Sequence, residues 1–396
     1  MIIRKEYLND LINLKEKNLI KVITGIRRCG KSTLFQLYKD YLKNVGISDE
    51  QIIMVNLEEA EFRNINSHEQ LYDHVLNKLL KDKMNYVFLD EVQQVTNFQK
   101  AVDWLYTEKN VDLYITGSNA FLLSGELATL LSGRYVEIKM LPLSFKEYVS
   151  YFQENHNNAE LYANYLQNSS FPGTLELNRN KDIKNYLEGI YDSIVLKDII
   201  FRNKISDASL LQILIEFMFD NIGNMCSVTN IVNTLKTNGR KISIPTLDTY
   251  LIALCNSFIL YKVGRYDVKG KQYLATGHKY YIADIGLRYY LLGSKQGDMG
   301  HTLENIVYLE LLRRGYEVYI GKVERKEVDF IALNSKNTEY YQVALSVIDE
   351  KTLSRELASL KAIKDHNPKY LLTMDYAPNT SYDGIKQLNI IDWLLQ

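Results

Sequence analysis

GIRRCGKS, residues 25 to 32, places two glycines, a lysine and a hydroxyl residue in the order that a phosphate-binding loop requires. Gly25 and Gly30 let the backbone curl so that successive N–H groups point inward and hold phosphate oxygens. Lys31 is then placed to reach the β- and γ-phosphates, and Ser32 to bind Mg²⁺ through its hydroxyl. The match alone would suit an ordinary strand-turn-helix. Its surroundings decide otherwise, because the apolar strand IKVIT (20–24) precedes it and the helix STLFQLYKDYLK (32–43) follows. The candidate nucleotide-binding set is therefore Gly25, Ile26, Arg27, Arg28, Cys29, Gly30, Lys31, Ser32 and Thr33, with one of the two arginines expected to be structural or exposed.

Working outward, YVFLDEVQ (86–93) supplies the second motif. Asp90, at the carboxyl end of a strand, is expected to hold Mg²⁺, and Glu91 to polarise the attacking water. An isolated Asp-Glu pair is commonly two solvated acids; with a phosphate loop upstream it marks a hydrolase. DLYITGSNA (112–120) places Thr116, Ser118 and Asn119 beyond a further strand, and Asn119 is favoured as the side chain sensing the γ-phosphate or the lytic water, although helix capping would suit it too. Arg134, after GELATLLSG, is the candidate for neutralising transition-state charge on a neighbouring subunit's nucleotide; a solvated surface arginine is the competing reading. The catalytic set is thus Lys31, Glu91, Asn119 and Arg134, and the metal set Ser32 and Asp90.

Apolar runs at 20–24, 52–56, 86–90, 112–116 and 135–139 alternate with helical segments, the pattern of a parallel sheet covered by helices, and their unbroken apolar character predicts burial on both faces. The expected divisions are a phosphate-loop α/β core over 1–150, a helical segment over 151–205, a winged helix over 206–295 and an α/β unit over 296–396. The winged helix rests on helices at 227–236 and 243–256, each opening at a serine suited to cap it, and on the strand-like pieces 258–266 and 279–284.

At 396 residues the chain is long enough for several cores. Forty-seven basic and forty-eight acidic residues give a formal charge of -1, which argues against a uniformly basic nucleic-acid coat and leaves room for a local patch. Cys29, Cys226 and Cys255 are too few and scattered for a disulfide framework or a zinc site. No stretch has the length of an uncharged membrane span, so a cytoplasmic protein without a membrane partner is expected.

Taken together, GIRRCGKSTL, LDEVQ, ITGSNAFLLSGELATLLSGRYVEIKMLPLSFKEY and the closing EVDFIAL and YYQVALS resemble a large prokaryotic family of AAA-like ATPases joined to a C-terminal domain of unknown function. The resemblance covers essentially the whole chain. It implies ATP as the nucleotide, a core of the additional-strand class, a helical lid, a winged helix and a domain similar to the PD-(D/E)xK nucleases. One departure concerns Thr129 and Leu130, where similar sequences often carry a basic residue. In the nuclease-like domain Glu304, Asp329 and Gln342 fall on the metal-site positions, but Ala344 stands where a lysine belongs, so a vestigial site is expected unless Lys322 or Lys326 replaces it.

Three functions stay open: ATP hydrolysis in a DNA-associated role, an ATP-dependent switch acting through protein contacts, and an ATP-gated nuclease. Lys236, Arg240 and Lys241, with Arg265, Lys269 and Lys271 about the wing, are the candidate phosphate contacts on double-stranded DNA, and a homo-oligomer or a protein partner is the other expected association.

Overall fold

The structure is a computed structural model describing residues 2–120, 131–152, 157–237, 239–270, 272–293, 299–376 and 380–396. Thr129, Leu130 and Lys271 lie outside these. The chain divides into two compact units, one of residues 1–142 with 256–258, the other of 143–255 with 259–396. No helix among the described residues is long and apolar enough to cross a membrane.

The first unit is built on five strands: β1 (Ile20–Thr24), β2 (Ile52–Asn56), β3 (Asn85–Asp90), β4 (Val111–Gly117) and β5 (Tyr135–Lys139). All pair in parallel, in the order β2-β3-β4-β1-β5. β4 is interposed between the strand entering the phosphate loop and the strand ending in Asp90, which makes this a sheet of the additional-strand class. The three inner strands are buried almost throughout. Burial on both faces was expected of all five, and the edge strands correct that: β2 alternates and β5 is largely half-exposed, because each is covered along only one edge.

The second unit opens with a short helix, Phe145–Val149, followed by helices Asn158–Asn168 and Asn180–Ser193, the latter running on into a π-helical stretch, Ile194–Phe201. Helices Ala208–Asp220, Val228–Thr237 and Ile244–Asn256 follow. Ser227 Oγ accepts from Asn230 N and Ser243 Oγ from Thr246 N, each at 3.2 Å, so both serines cap as their positions suggested.

The strand pair that follows is longer than its sequence pattern: β6 (Leu260–Asp267) and β7 (Gln272–Ile282) take in the polar QYLATGH as strand. Nor does the pair stand alone. β6 pairs in parallel with β8 (Glu317–Val323), placing the hairpin in one sheet with β9 (Lys326–Leu333), β10 (Thr338–Ala344), β11 (Lys369–Thr373), β12 (Ser381–Tyr382) and β13 (Ile385–Asn389). The order is β12-β13-β11-β10-β9-β8-β6-β7. β8, β9 and β10 form an antiparallel meander, and β11 runs parallel to β10 after helix Glu350–Lys361. The sequence division near 295 thus separates strands that hydrogen-bond in a common sheet.

Candidate nucleotide-binding site

Because all five strands of the first sheet run the same way, the turns after β1, β3 and β4 open at one end of it, bringing Gly25–Ser32, Asp90–Glu91 and Ser118–Asn119 together. Three residues here hold left-handed backbone: Arg28 at φ 67°, Gly30 at φ 106° and Glu91 at φ 53°. For an arginine and a glutamate that conformation costs about 1–2 kcal/mol each, and such cost concentrates where a site dictates the backbone. Gly25, at φ 152°, has a further reason to be glycine, since a Cβ there would meet the Met140 carbonyl oxygen at 2.1 Å.

Lys31 opens helix Lys31–Asn44 and is buried. Its ammonium donates to the carbonyls of Gly25 at 3.1 Å and Ile26 at 3.3 Å and lies 3.6 Å from Glu91 Oε1. Burial alone would raise the Glu91 carboxyl, but Lys31, the Gln93 amide and Arg27 outweigh it and hold the group below the usual glutamate range. Asp90 goes the other way. Burial pushes it up, and hydrogen bonds from Ser32 and Thr116 offset that only in part.

Thr116 ties the Asp90 carboxylate to the Glu91 backbone, donating its hydroxyl to Asp90 Oδ1 and accepting from the Glu91 N–H at 3.0 Å. Sequence reasoning had favoured Asn119, which is buried just beyond β4. Of the paired arginines, Arg27 is buried and bonds Glu58 at 2.8 Å, while Arg28 is exposed. Ser32 and Thr33 are exposed at the mouth of the loop. A carboxylate under burial strain beside a serine hydroxyl is a hard-oxygen donor set, and it fits Mg²⁺.

Arg134 is not part of this cluster. Its carbonyl accepts from Ile20 N at 2.8 Å, placing it at the amino-terminal end of β1, one strand length of about 16 Å from the loop. There it pairs with Asp103 at 2.7 Å and lies 5.7 Å over the Tyr106 ring.

A residue that sequence reasoning missed is Arg4, only 3% exposed, which donates to the Cys29 carbonyl inside the loop at 3.0 Å and to the Leu141 carbonyl at 2.9 Å. No motif marks it. It reads as one of several charges near the start of the chain.

In the second unit Asp329 accepts from Val343 N at 2.8 Å, and Gln342 donates to Glu356 at 2.8 Å. The lysine beside them is neither Lys322 nor Lys326. Lys326 donates to the Ala358 carbonyl, whereas Lys279, on β7, bonds Glu304 at 3.3 Å and Glu327 at 2.9 Å. Burial opposes the Lys279 charge, yet Glu304, Asp329 and Glu327 raise it overall; Asp329 is raised well above the usual range by burial and by Glu304.

Comparison with known proteins agrees with this layout. Residues 17–149 match the family model described as AAA domain, and residues 159–298 match a domain of unknown function (DUF8612). An uncharacterized protein of Haemophilus influenzae is 42% identical over 400 residues, covering 100% of this chain and 99% of its own. Uncharacterized protein MJ1544 of Methanocaldococcus jannaschii is 31% identical over 369 residues, covering 88% of this chain and 79% of its own. Among solved structures, the Walker-type ATPase PABY2304 of Pyrococcus abyssi superposes with a TM-score of 0.51 at 17% identity, over 74% of this chain and 96% of that one, a likeness of fold.

Proposed function

Given that the chain belongs to one family with the uncharacterized Haemophilus influenzae protein and carries an AAA domain over residues 17–149, we propose that it is a Mg²⁺-dependent ATPase whose hydrolysis drives a conformational switch. The observation that carries this reading is the buried Lys31 ammonium, held between two loop carbonyls and Glu91 at the end of the sheet where loop and carboxylates meet. Loop N–H groups and Lys31 bind the β- and γ-phosphates, and Glu91, kept ionised, takes a proton from the attacking water. Mg²⁺, held by Ser32 and Asp90, would neutralise charge on the phosphate oxygens. Thr116 keeps Asp90 and Glu91 in register, with Asn119 beside them as the γ-phosphate sensor.

For the output of the switch, the geometry favours protein contacts over duplex DNA. In the winged-helix reading, Ile244–Asn256 would be the recognition helix, yet it exposes Ile244, Thr246, Asp248, Thr249 and Ile252, with Ile252 60% accessible. The commonest base contacts in a major groove come from Arg, Lys, Asn and Gln, and none of these five exposed residues is one of them. Lys236, Arg240, Lys241 and Lys269 are exposed and remain the candidate phosphate contacts, but the Arg265 Nε is buried. We read Glu304, Asp329 and Gln342 as the satisfied interior of a nuclease-like scaffold: Lys279 neutralises Glu304, and Glu356 with Ser359 occupies the Gln342 amide, so no cleavage reaction is assigned there.

The test is ATP turnover by wild type and Glu91→Gln, with and without duplex DNA across a salt series. Glu91→Gln should bind ATP normally and lose about a hundredfold or more in kcat. Unchanged turnover in that variant would remove Glu91 from its role. Stimulation by DNA that fades with salt would overturn the preference for protein contacts.

A further inference from the structure

We infer that Arg4 is a positioning residue of the phosphate loop: its guanidinium ties the Cys29 carbonyl to the Leu141–Pro142 segment and so aims the Gly30 N–H at the nucleotide phosphates. This rests on the ATPase reading above and deepens it.

The argument begins with peptide geometry. In a trans peptide the carbonyl and the following N–H point in opposite directions, so fixing the Cys29 carbonyl outward fixes the Gly30 N–H inward. Arg4 Nη1 donates to Cys29 O at 3.0 Å, while Nη2 donates to Leu141 O at 2.9 Å and reaches Pro142 O at 3.5 Å. One planar, permanently charged group therefore joins two backbone segments far apart in sequence, a task that suits a fork of donors and not a point charge.

The surroundings hold the guanidinium still. It lies 4.9 Å over the Tyr7 ring, and Tyr7 Oη in turn accepts from Leu141 N at 3.1 Å. Met140 N donates to Thr24 O at 2.7 Å, and the Met140 carbonyl sits where a Gly25 side chain would be. The 140–142 segment thus flanks the loop at its first residue directly and at Cys29 through Arg4. Residue 4 also stands immediately before helix Lys5–Asn13, which anchors it through buried Tyr7 and Leu11. A guanidinium buried to this degree, spent on one loop carbonyl and the Leu141–Pro142 carbonyls, is poorly explained by solubility or by surface pairing.

The test uses the full chain with Arg4→Met, Arg4→Lys and Tyr7→Phe, read by amide hydrogen exchange without nucleotide and by the split between KM and kcat for ATP. Arg4→Met should speed exchange over 25–33 and 139–142 while leaving 86–89 as in wild type. It should raise the ATP KM about tenfold, the effect of losing one charged hydrogen bond, with a smaller change in kcat. Arg4→Lys should fall between, because a compact ammonium keeps the charge but lacks the planar fork whose two arms reach Cys29 and Leu141, and Tyr7→Phe should shift both readouts the same way by less.

Unchanged loop exchange in Arg4→Met overturns the inference. So does faster exchange spread evenly over the unit, which would mark a general structural role, or an unmoved KM with a loosened loop. Should Arg4→Met fail to fold, Tyr7→Phe decides alone, and unaltered exchange over 25–33 counts against the clamp. Wild type that turns over no ATP would remove the ATPase reading, while the exchange measurements would still decide whether Arg4 holds the loop.

Discussion

Glu91 shows how single residues are conditioned for their task. Its backbone is held in a region that costs energy, and its carboxyl is buried, which by itself would favour the neutral acid. Lys31, Gln93 and Arg27 reverse that, so the carboxyl is ionised at neutral pH, and in the proposed role of base its activity would be lost only as pH falls through a depressed pKa. Arg27→Met removes one of these supports and should therefore move the acid limb of the kcat profile to higher pH. A limb that stays in place would mean that another group titrates there. Lys31, Asp90 and Glu91 are legible from sequence because their chemistry depends on neighbours in the chain: loop before helix, acid pair after strand. Arg4 and Lys279 are not, since each acts on partners distant in sequence and neither is part of a local pattern. Lys322 and Lys326 lie close to Asp329 along the chain, whereas the lysine paired with Glu304 arrives on β7 from the preceding hairpin.

Elements follow the same rule. The three inner strands of the first sheet can be read almost to the residue, because a strand buried on both faces leaves an unbroken apolar run with polar residues at its ends. β12, β13 and the closing helix Ile390–Leu395 leave no such trace; IKQLN alternates weakly, and its pairing with β11 is decided by tertiary packing. The insertion of β6 beside β8 is likewise invisible in sequence, since register between distant strands has no local signature. One cross-strand interaction in the ATPase sheet is open to measurement. Lys21 on β1 and Asp112 on β4 form a fully buried ion pair, in which Asp112 also accepts from Tyr114 at 2.7 Å and from Glu16 N at 2.8 Å. Burial lowers the Lys21 pKa, and Asp112 counters that. Asp112→Ala leaves the ammonium buried without its anion, so urea unfolding should show a loss of about 3–5 kcal/mol. A loss below about 1 kcal/mol would mean that water replaces the carboxylate at little cost.

At the scale of the molecule, the role proposed for Arg134 would require a second copy of the chain. Arg134 stands at the amino-terminal end of the parallel strands, and the phosphate loop opens at the other, so Arg134 cannot serve the nucleotide of its own subunit without refolding the sheet. Its present partners do not lock it in place: the Asp103 pair is exposed, and exposed pairs contribute at most about 1 kcal/mol. A neighbouring copy could therefore recruit this side chain to its own γ-phosphate. If so, Arg134→Ala should bind ATP normally yet hydrolyse it poorly, and Lys31→Ala should neither bind nor hydrolyse. Mixed in equal amounts, these two inactive proteins form assemblies in which an intact loop faces an intact Arg134 of the next subunit. For a dimer, random pairing returns about one quarter of wild-type turnover. Mixed samples that exchange subunits, shown by differently labelled chains, and still hydrolyse no ATP would assign Arg134 to the surface pair with Asp103 alone.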